Sequence, residues 1–381
     1  KSLHAVAAFA CCLALLAGSC ETLLGPELQA PAPAAHSSRL ATLLDSLRYA
    51  LDLPALAGAI VTNDSIVDAQ AVGCRRYGGS ANVTVNDQFH LGSCGKAIAA
   101  TLLGILVDEG RVSWTSTLPE IFPEHANTMR AEYRSVTLRD VLSHAGGFMR
   151  DPDLTLHTNT PREQRAEVVA WALGQPPAVP RGTYLYSNLG YIIAGAIAEK
   201  LTGRDFEELL IDRVLEPLGL TTAGFGAMGT PGLEDQPLQH NCNHAPLEPT
   251  LDADNQPIYS PAGRLHLSIV DWARFAKWRL VAEAGDQTLL RPATARVLTS
   301  PITPIGGGSY YAMGWGVNPS TWANGKILAH SGSNLMNYST IVLAPGRRAG
   351  FLVATNQGAK GSQDVLGPAM DRLINFYLNG R

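Results

Sequence analysis

The chain has 381 residues, with 29 Lys and Arg against 33 Asp and Glu, which gives a formal net charge of −4 with His neutral. A chain without a basic excess lacks the charge that binds a phosphate backbone, so nucleic acid is not expected as a partner. Hydrophobic residues make up 46% and charged residues 16%, a composition that excludes a disordered protein. At roughly 150 residues per domain, the length allows two domains, or one large domain with an insertion.

Residues 1–20 have the order of a secretory signal. An N-terminal charge precedes an apolar run, 5–17, that is shorter than the roughly 20 residues a bilayer span needs. The segment 16–20, Leu-Ala-Gly-Ser-Cys, resembles a bacterial lipobox, in which Cys20 becomes the acylated first residue. Cleavage after Ser19 without lipidation is the alternative. We therefore expect export to the periplasm or outer cell envelope, with membrane attachment only through a lipid on Cys20.

A Pro/Ala-rich segment, 21–37, reads as a linker, and 38–381 is expected to be one folded domain. Three cysteines fall in that domain: Cys74, Cys94 and Cys242. One disulfide among them is compatible with an oxidising compartment, and the spacing does not select the partners.

Strands are predicted near both ends of the domain, and helices between them. A leucine pattern from Leu40 to Leu51, after a capping Ser38, predicts a helix that ends before Pro54. The further expected elements are strands at 57–62, 65–72, 326–330, 338–343 and 351–355, helices at 138–145 and 205–216, and a final helix at 368–378.

This order favours an α+β fold. One antiparallel sheet would be built from the N- and C-terminal strands and flanked by the terminal helices, with a mainly helical lobe of about 93–290 inserted. A cleft between the lobe and the sheet edge is the expected place for a site.

Ser93 and Lys96 precede an almost wholly apolar helix, 97–107. At positions i and i+3 they share one face at the helix N-terminus, where backbone N–H groups favour a developing anion. A serine needs a neighbour to take its proton, and a buried amine can assist. By itself Ser-x-x-Lys is a weak pattern, because a capping serine beside a solvated lysine looks the same.

Two further motifs follow at a distance: Tyr186-Ser187-Asn188 before another apolar helix, and His330-Ser331-Gly332-Ser333 at the end of a strand. Similar short patterns occur at 377–379 and at His144-Ala145-Gly146. Because both close helices, we interpret them as core, and His144 as a packed structural residue.

Together, in this order and spacing, the three motifs resemble those of the serine β-lactamase and penicillin-binding-protein superfamily. The similarity is greatest to its branch of class C β-lactamases, D-alanyl-D-alanine carboxypeptidases, D-aminopeptidases and related esterases. It extends over about 51–356 and includes connecting phrases such as Pro217-Leu218-Gly219-Leu220 and Pro261-Ala262-Gly263-Arg264-Leu265.

The resemblance implies an acyl-enzyme mechanism. Ser93 would attack an amide or ester carbonyl, with Lys96 and Tyr186 sharing the proton transfers. For Tyr186 to act as a base near neutrality, its pKa must fall from about 10 toward 7. Asn188 would hold a substrate amide, and the backbone N–H groups of Ser93 and Ser333 would form the oxyanion hole.

One position departs from class C β-lactamases, which have Lys where this chain has His330. A neutral imidazole attracts a substrate carboxylate less than an ammonium does, so His330 favours peptide or ester substrates over β-lactams. Gly332 and Ser333 of the same motif are expected to bind the substrate with it. A class C-like β-lactamase is the first alternative. A non-catalytic domain that binds cell-wall fragments is the second.

Metal and cofactor chemistry find little support. The segment 240–244, His-Asn-Cys-Asn-His, has zinc-ligand residue types, but no second donor cluster accompanies it, and we interpret it as a polar loop. No phosphate-loop, dinucleotide or Gly-x-Ser-x-Gly pattern occurs. We expect no cofactor, and a small-molecule or peptide substrate, with cell-wall fragments as one source.

Overall fold

The computed structural model describes His36, residues 38–359 and residues 364–380. The predicted signal segment with Cys20, and the Pro/Ala segment as far as residue 35, lie outside these described residues. Within the described ranges, no helix combines the length and the apolar character that a membrane crossing requires.

Thirteen strands are found in the described chain. They are β1 (Ala55–Thr62), β2 (Ile66–Gly73), β3 (Gln88–His90), β4 (Gly224–Phe225), β5 (Gln239–His240), β6 (Pro246–Leu247), β7 (Leu265–Ser268), β8 (Thr303–Gly306), β9 (Ser309–Tyr311), β10 (Gly316–Ser320), β11 (Gly325–Ser333), β12 (Tyr338–Ala344) and β13 (Ala349–Thr355).

The α-helices of the described chain are α1 (Arg39–Ala50), α2 (Gly95–Asp108), α3 (Leu118–Ile121), α4 (Leu138–Leu142), α5 (Pro161–Gly174), α6 (Asn188–Thr202), α7 (Phe206–Leu210), α8 (Ser260–Gly263), α9 (Ile269–Ala282), α10 (Pro292–Leu298) and α11 (Gly367–Leu378). Several begin where the sequence indicates, because side chains cap them. Ser38 accepts a hydrogen bond from Ala41 N, and Thr137 and Asp140 form a capping box on α4.

The main sheet has eight antiparallel strands in the order β2-β1-β13-β12-β11-β10-β9-β8. The first and last parts of the domain therefore pair directly, with Ala57 of β1 opposite Ala354 of β13. This confirms the predicted α+β architecture. A three-stranded sheet, β3-β7-β4, lies within the otherwise mainly helical middle of the chain.

Side chains of the central strands alternate between two hydrophobic cores, as the two-residue period of a strand requires. On β1, Ala57 and Ala59 face the core under the helical lobe, whereas Leu56 and Ile60 face the core that α1 and α11 cover. The sheet is thus buried on both faces, with the terminal helices on the side away from the lobe.

The structure extends the sheet beyond the predicted strands. Strands β8, β9 and β10 were not predicted from the sequence, because they have only three to five residues, include Pro304 and Pro319, and lack an alternating pattern. They place β11 inside the sheet. The pairing of β10 with β11 ends at Ala329, however, so residues 330–333 extend beyond β10 and form a local edge. The predicted helix 205–216 is helical over 206–215, but α7 passes into a π-helical stretch at Ile211–Leu215.

A buried ion-pair cluster joins three helices of the lobe. Arg165 of α5 has no exposed side-chain surface, and its Nη2 lies 2.6 Å from Glu199 Oε1 on α6 and 2.8 Å from Glu207 Oε2 on α7. Removing one member of such a cluster leaves buried charge without its partner, which is strongly destabilising.

We expect Arg165→Met to lower the free energy of unfolding by about 3–5 kcal/mol, because Glu199 is then left buried without its counter-charge. Urea unfolding followed by circular dichroism measures the change. Arg162→Met is the matched control on the same helix, since the Arg162 side chain is 41% exposed and an exposed pair contributes about 1 kcal/mol or less. Equal losses in the two variants would show that the buried cluster has no special role.

Candidate active site

Ser93 lies in a single 3-10 turn, Gly92–Cys94, between β3 and α2. Gly92 has φ 49°, in the left-handed region that glycine adopts most readily. Its N–H donates to Nδ1 of His90 at 3.0 Å, and Nε2 of the same imidazole lies 3.0 Å from Asp254 Oδ2. The Asp254–His90 pair, fully buried on both side chains, therefore fixes the turn that presents Ser93 to the cleft.

The Lys96 side chain is completely buried beside Ser93. Its Nζ donates to Ser93 Oγ at 3.0 Å, to Asn188 Oδ1 at 2.8 Å and to Ala262 O at 2.6 Å. An ammonium has three hydrogens, and each meets an acceptor here. Because a buried charge is costly unless it is hydrogen-bonded, these acceptors account for the stability of Lys96 in this position.

Asn188 begins α6, with Ser187 as its capping residue. The Asn188 amide is oriented from both ends, since Oδ1 accepts from Lys96 and Nδ2 donates to Asp151 Oδ1 at 2.8 Å. Burial, followed by the charge of Asp151 and the hydrogen bond to it, raises the pKa of Tyr259 well above its ordinary value. The second motif is thus linked to the first through Lys96 and to a polar wall of the cleft through Asp151.

The Tyr186 ring is packed among basic and aromatic groups. Lys96 Nζ lies 4.9 Å from the ring centroid, and the guanidinium carbon of Arg150 lies 5.6 Å from it. The His144 ring is 4.4 Å away and the His330 ring 6.2 Å away, centroid to centroid. Nearby cations favour a negative charge on a phenol, but Arg150 is itself paired with Asp151, its Nε lying 3.6 Å from Asp151 Oδ2. The proton-transfer role expected for Tyr186 stays a prediction.

His330 is neutral in this arrangement. Its Nδ1 donates to Ser331 O at 2.7 Å, and Nε2 accepts from the Tyr311 hydroxyl at 2.9 Å. Burial, together with the charge of Lys96, lowers the pKa of His330 to about 3. The first position of the third motif is therefore a buried, uncharged hydrogen-bonding group. A group of this kind attracts a substrate carboxylate less than the lysine ammonium of class C β-lactamases does.

Glycines let the third motif approach the nucleophile closely. A Cβ built on Gly332 would lie 2.0 Å from Leu91 O and 2.6 Å from Ser93 N, and one on Gly92 would lie 2.4 Å from Ser333 N. No side chain fits in either place. The backbones that carry the N–H groups of Ser93 and Ser333 are consequently brought together, as an oxyanion hole requires.

The structure thus brings together the predicted catalytic and substrate-binding residues, whereas Cys20 lies outside the described residues. Ser93, Lys96 and Asn188 are joined by hydrogen bonds, Tyr186 and His330 by ring contacts, and Gly332 and Ser333 by close backbone approach.

Sequence reasoning missed several neighbours of these residues. Ala262 contributes a backbone carbonyl, which no side-chain pattern reveals, although it lies in a family-like phrase. Asp151 and Arg150 follow the predicted helix and carry no motif of their own. Tyr311 belongs to none of the three motifs, and its fully buried hydroxyl contacts His330. His144 is buried and packed as expected, but it packs against Tyr186, which the interpretation as plain core did not foresee.

The polar segment 240–244 makes structural contacts. His240 is buried, with Nε2 accepting from Tyr77 N and Nδ1 close to Asn356 O, while His244 lies against Asp52. Within the described residues, no cluster of metal-ligating side chains is present. Cys74, Cys94 and Cys242 are free cysteines, so the disulfide that the sequence allowed is not formed among them.

Fold and site together are those of the serine β-lactamase and penicillin-binding-protein superfamily: an antiparallel sheet between helical layers, and a serine and lysine at the start of a buried helix. The model of the Beta-lactamase family matches residues 40–374, and the chain belongs to this family. Its members are generally hydrolytic serine enzymes.

Sequence identity to the following individual proteins is below 30%. The chain is 29% identical over 335 residues to the unguisins hydrolase ungD' of Aspergillus campestris (strain IBT 28561). The matched region covers 80% of this chain and 60% of that protein's length. It is 27% identical over 328 residues to penicillin-binding protein 4 of Amycolatopsis lactamdurans, and the match covers 82% of this chain and 84% of that protein. The octameric penicillin-binding protein homologue from Pyrococcus abyssi superposes with a TM-score of 0.71 at 21% identity, over 90% of this chain and 78% of that one. That likeness concerns the fold alone.

Gly332→Ala should lower the rate of serine acylation by about 100-fold or more, because the new Cβ displaces the backbone around Ser93 N and one lost oxyanion donor costs that much. The rate of labelling by a fluorophosphonate measures it. Gly95→Ala is the matched control, since its Cβ would meet only Leu265 Cβ, at an ordinary 3.5 Å. A Gly332→Ala protein that labels within threefold of the parent would contradict the close-approach argument.

Buried neutral histidines should make the protein less stable in acid. Burial lowers the pKa of His330 to about 3, those of His240 and His266 to about 4, and that of His144 well below its ordinary value. Below pH 6.5 the unfolded chain binds more protons than the folded one, so the free energy of unfolding falls as the pH falls toward these values. At pH 5 each such histidine accounts for about 2 kcal/mol.

Thermal and urea unfolding at pH 8 and pH 5 test this, with His266→Asn as the comparison variant. We expect the pH-dependent loss to be smaller by about 2 kcal/mol in the variant, whatever its stability at pH 8. Parallel pH profiles for the two proteins would show that His266 does not contribute to the acid sensitivity.

Proposed function

We propose that this protein is a serine hydrolase that cleaves an amide or ester bond through an acyl-enzyme on Ser93. The observation that carries the proposal is the hydrogen bond that Lys96 Nζ donates to Ser93 Oγ at 3.0 Å, from a fully buried amine to a hydroxyl on a partly exposed residue. A hydroxyl in this position is oriented and polarised by a group that water does not compete for. The family membership and the hydrolase and penicillin-binding protein among its relatives support it.

The hydrogen-bond pattern suggests how the proton moves. Lys96 donates hydrogen bonds to three acceptors, which is the pattern of an ammonium. An ammonium has no lone pair, so it does not accept the Ser93 proton. Tyr186, as a phenolate between Lys96 and Arg150, takes that proton while Ser93 Oγ bonds to the carbonyl carbon. The proton then passes to the leaving amine or alcohol as its bond to the carbonyl breaks. A water molecule repeats the sequence to release the acid and restore Ser93.

The substrate would lie between α6 and the local edge of β11. Residues 330–333 extend beyond β10, so their backbone is placed to pair with an extended substrate, and the N–H groups of Ser93 and Ser333 would receive its oxyanion. Asn188 keeps one hydrogen of Nδ2 for a substrate carbonyl, since the other is donated to Asp151.

The state of His330 favours peptides, D-amino-acid amides or esters over β-lactams. A carboxylate on the substrate would meet a buried imidazole that is neutral and already bonded through both nitrogens. Turnover as a class C-like β-lactamase remains the alternative, and a non-catalytic domain that binds cell-wall fragments is the second.

We further propose that the reaction takes place outside the cytoplasm, in the periplasm or outer envelope, with Cys20 as a lipid anchor. The order of residues in 1–20 is the support for this setting.

We expect a fluorophosphonate or penicillin probe to add one adduct to Ser93, detected by mass spectrometry of the digested protein. Ser93→Ala should give no adduct, and Lys96→Ala and Tyr186→Phe should each acylate about 100-fold or more slowly, because the oriented hydroxyl or its base is lost. Folding is checked by circular dichroism. A folded protein whose Ser93 stays unmodified would instead support the non-catalytic domain.

Comparing three substrate classes then separates the enzymes. We expect p-nitrophenyl esters or D-alanyl peptides to be turned over faster than a chromogenic cephalosporin. Fast cephalosporin turnover would favour the β-lactamase and contradict the inference from His330.

A further inference from the structure

His144 lies in the turn after α4, in an unusual backbone conformation. Its φ is 59°, in the left-handed region that residues other than Gly adopt uncommonly, although Asn, Asp and His do so more often than the rest. A residue held in this conformation inside the protein needs contacts that compensate for it.

Those contacts bracket Tyr186. The carbonyl of His144 accepts from Leu185 N at 3.0 Å, and its Nδ1 accepts from Ser187 N at 3.1 Å. One residue thus holds the peptide N–H groups on either side of Tyr186.

The imidazole also packs on the Tyr186 phenol. Its ring centroid is 4.4 Å from that of Tyr186 and 4.4 Å from that of Tyr311, and only 2% of the residue is exposed. Tyr311 in turn donates to His330. His144 is therefore a spacer between the second and third motifs, as well as a support for the backbone of the second.

The tautomer follows from the same contacts. Because Nδ1 accepts the Ser187 N–H, the ring hydrogen is on Nε2, which has no hydrogen-bond partner within the described part of the chain. Burial, with the nearby charge of Lys96, lowers the pKa of His144 well below its ordinary value, which keeps Nδ1 available as an acceptor.

We infer that His144 is a positioning residue, which holds the Tyr186 phenol in its place beside Lys96 by accepting the Ser187 N–H and by packing between Tyr186 and Tyr311. This inference rests on the proposed function, in which Tyr186 takes the Ser93 proton. It assigns His144 no contact with the substrate, so its loss should slow the chemical step and leave substrate binding nearly unchanged.

Two substitutions separate the imidazole from the backbone. His144→Gly removes the side chain and suits the positive φ, so backbone strain does not contribute to its effect. His144→Asn also tolerates the left-handed region, and its Oδ1 replaces Nδ1 as the acceptor for Ser187 N without the ring. Asn324→Gly is the matched control, because Asn324 has φ 55° in the β10–β11 turn, away from the motifs.

The experiment measures kcat and KM on a p-nitrophenyl ester, with the labelling of Ser93 by a fluorophosphonate as a second readout. We expect His144→Gly to lose about 100-fold in kcat with KM within threefold, and His144→Asn to recover at least tenfold of that loss. Asn324→Gly should match the parent. Circular dichroism and thermal unfolding confirm that each variant is folded.

A folded His144→Gly protein with kcat within threefold of the parent, or a His144→Asn protein no faster than His144→Gly, overturns the inference. If His144→Gly does not fold, His144→Asn alone decides: kcat within tenfold of the parent supports the inference, and a loss above 100-fold overturns it. Failure of the proposed function looks different, because the parent protein itself would then neither label on Ser93 nor hydrolyse the ester.

Discussion

Lys96 carries its amine into a part of the protein that water does not reach, and the site is arranged around satisfying it. Its three acceptors come from the nucleophile turn, the start of α6 and the carbonyl of Ala262. These segments are distant in the chain, so a single buried group determines how close they must come. Loss of any acceptor would leave a donor unsatisfied where it cannot be hydrated, which is costly. The hydrogen bonds of Lys96 that orient Ser93 therefore also hold the start of α6 and the Ala262 segment next to the nucleophile turn.

Close backbone approach is the second constraint. Gly92 and Gly332 occupy positions where a Cβ would overlap the backbone of the opposing segment. The Asp254–His90 pair supports the turn from behind, through the N–H of Gly92. As a result, the local edge of β11 meets the nucleophile turn directly, and the two candidate oxyanion donors belong to rigid elements. Catalytic groups placed in this way lose little free energy to reorganisation during reaction.

The aromatic groups around Tyr186 give the cleft its electrostatic character. His144 and His330 are buried and neutral, each with Nδ1 or Nε2 committed to a neighbour, so the positive charge beside the phenol comes from Lys96 and Arg150. A cleft with this distribution stabilises negative charge near Tyr186 and Ser93, and offers little to an anionic group at the third motif. That contrast is the physical basis for placing amide and ester substrates ahead of β-lactams.

The sequence by itself determined the superfamily, the α+β architecture and the residue types of the site. Capping patterns, apolar periodicity and three spaced motifs are local properties, which survive without knowledge of the fold. The catalytic roles of Ser93, Lys96 and Tyr186 stay predictions, although the structure brings the three side chains together.

Only the tertiary structure decided the rest: the carbonyl that completes the shell of Lys96, the neutral state of His330, the three short strands that extend the sheet and the bracket that His144 forms around Tyr186. Each depends on backbone atoms or on burial between segments far apart in the chain. Residue identity does not encode these properties, because every residue carries the same carbonyl and N–H, and burial is set by what packs against it.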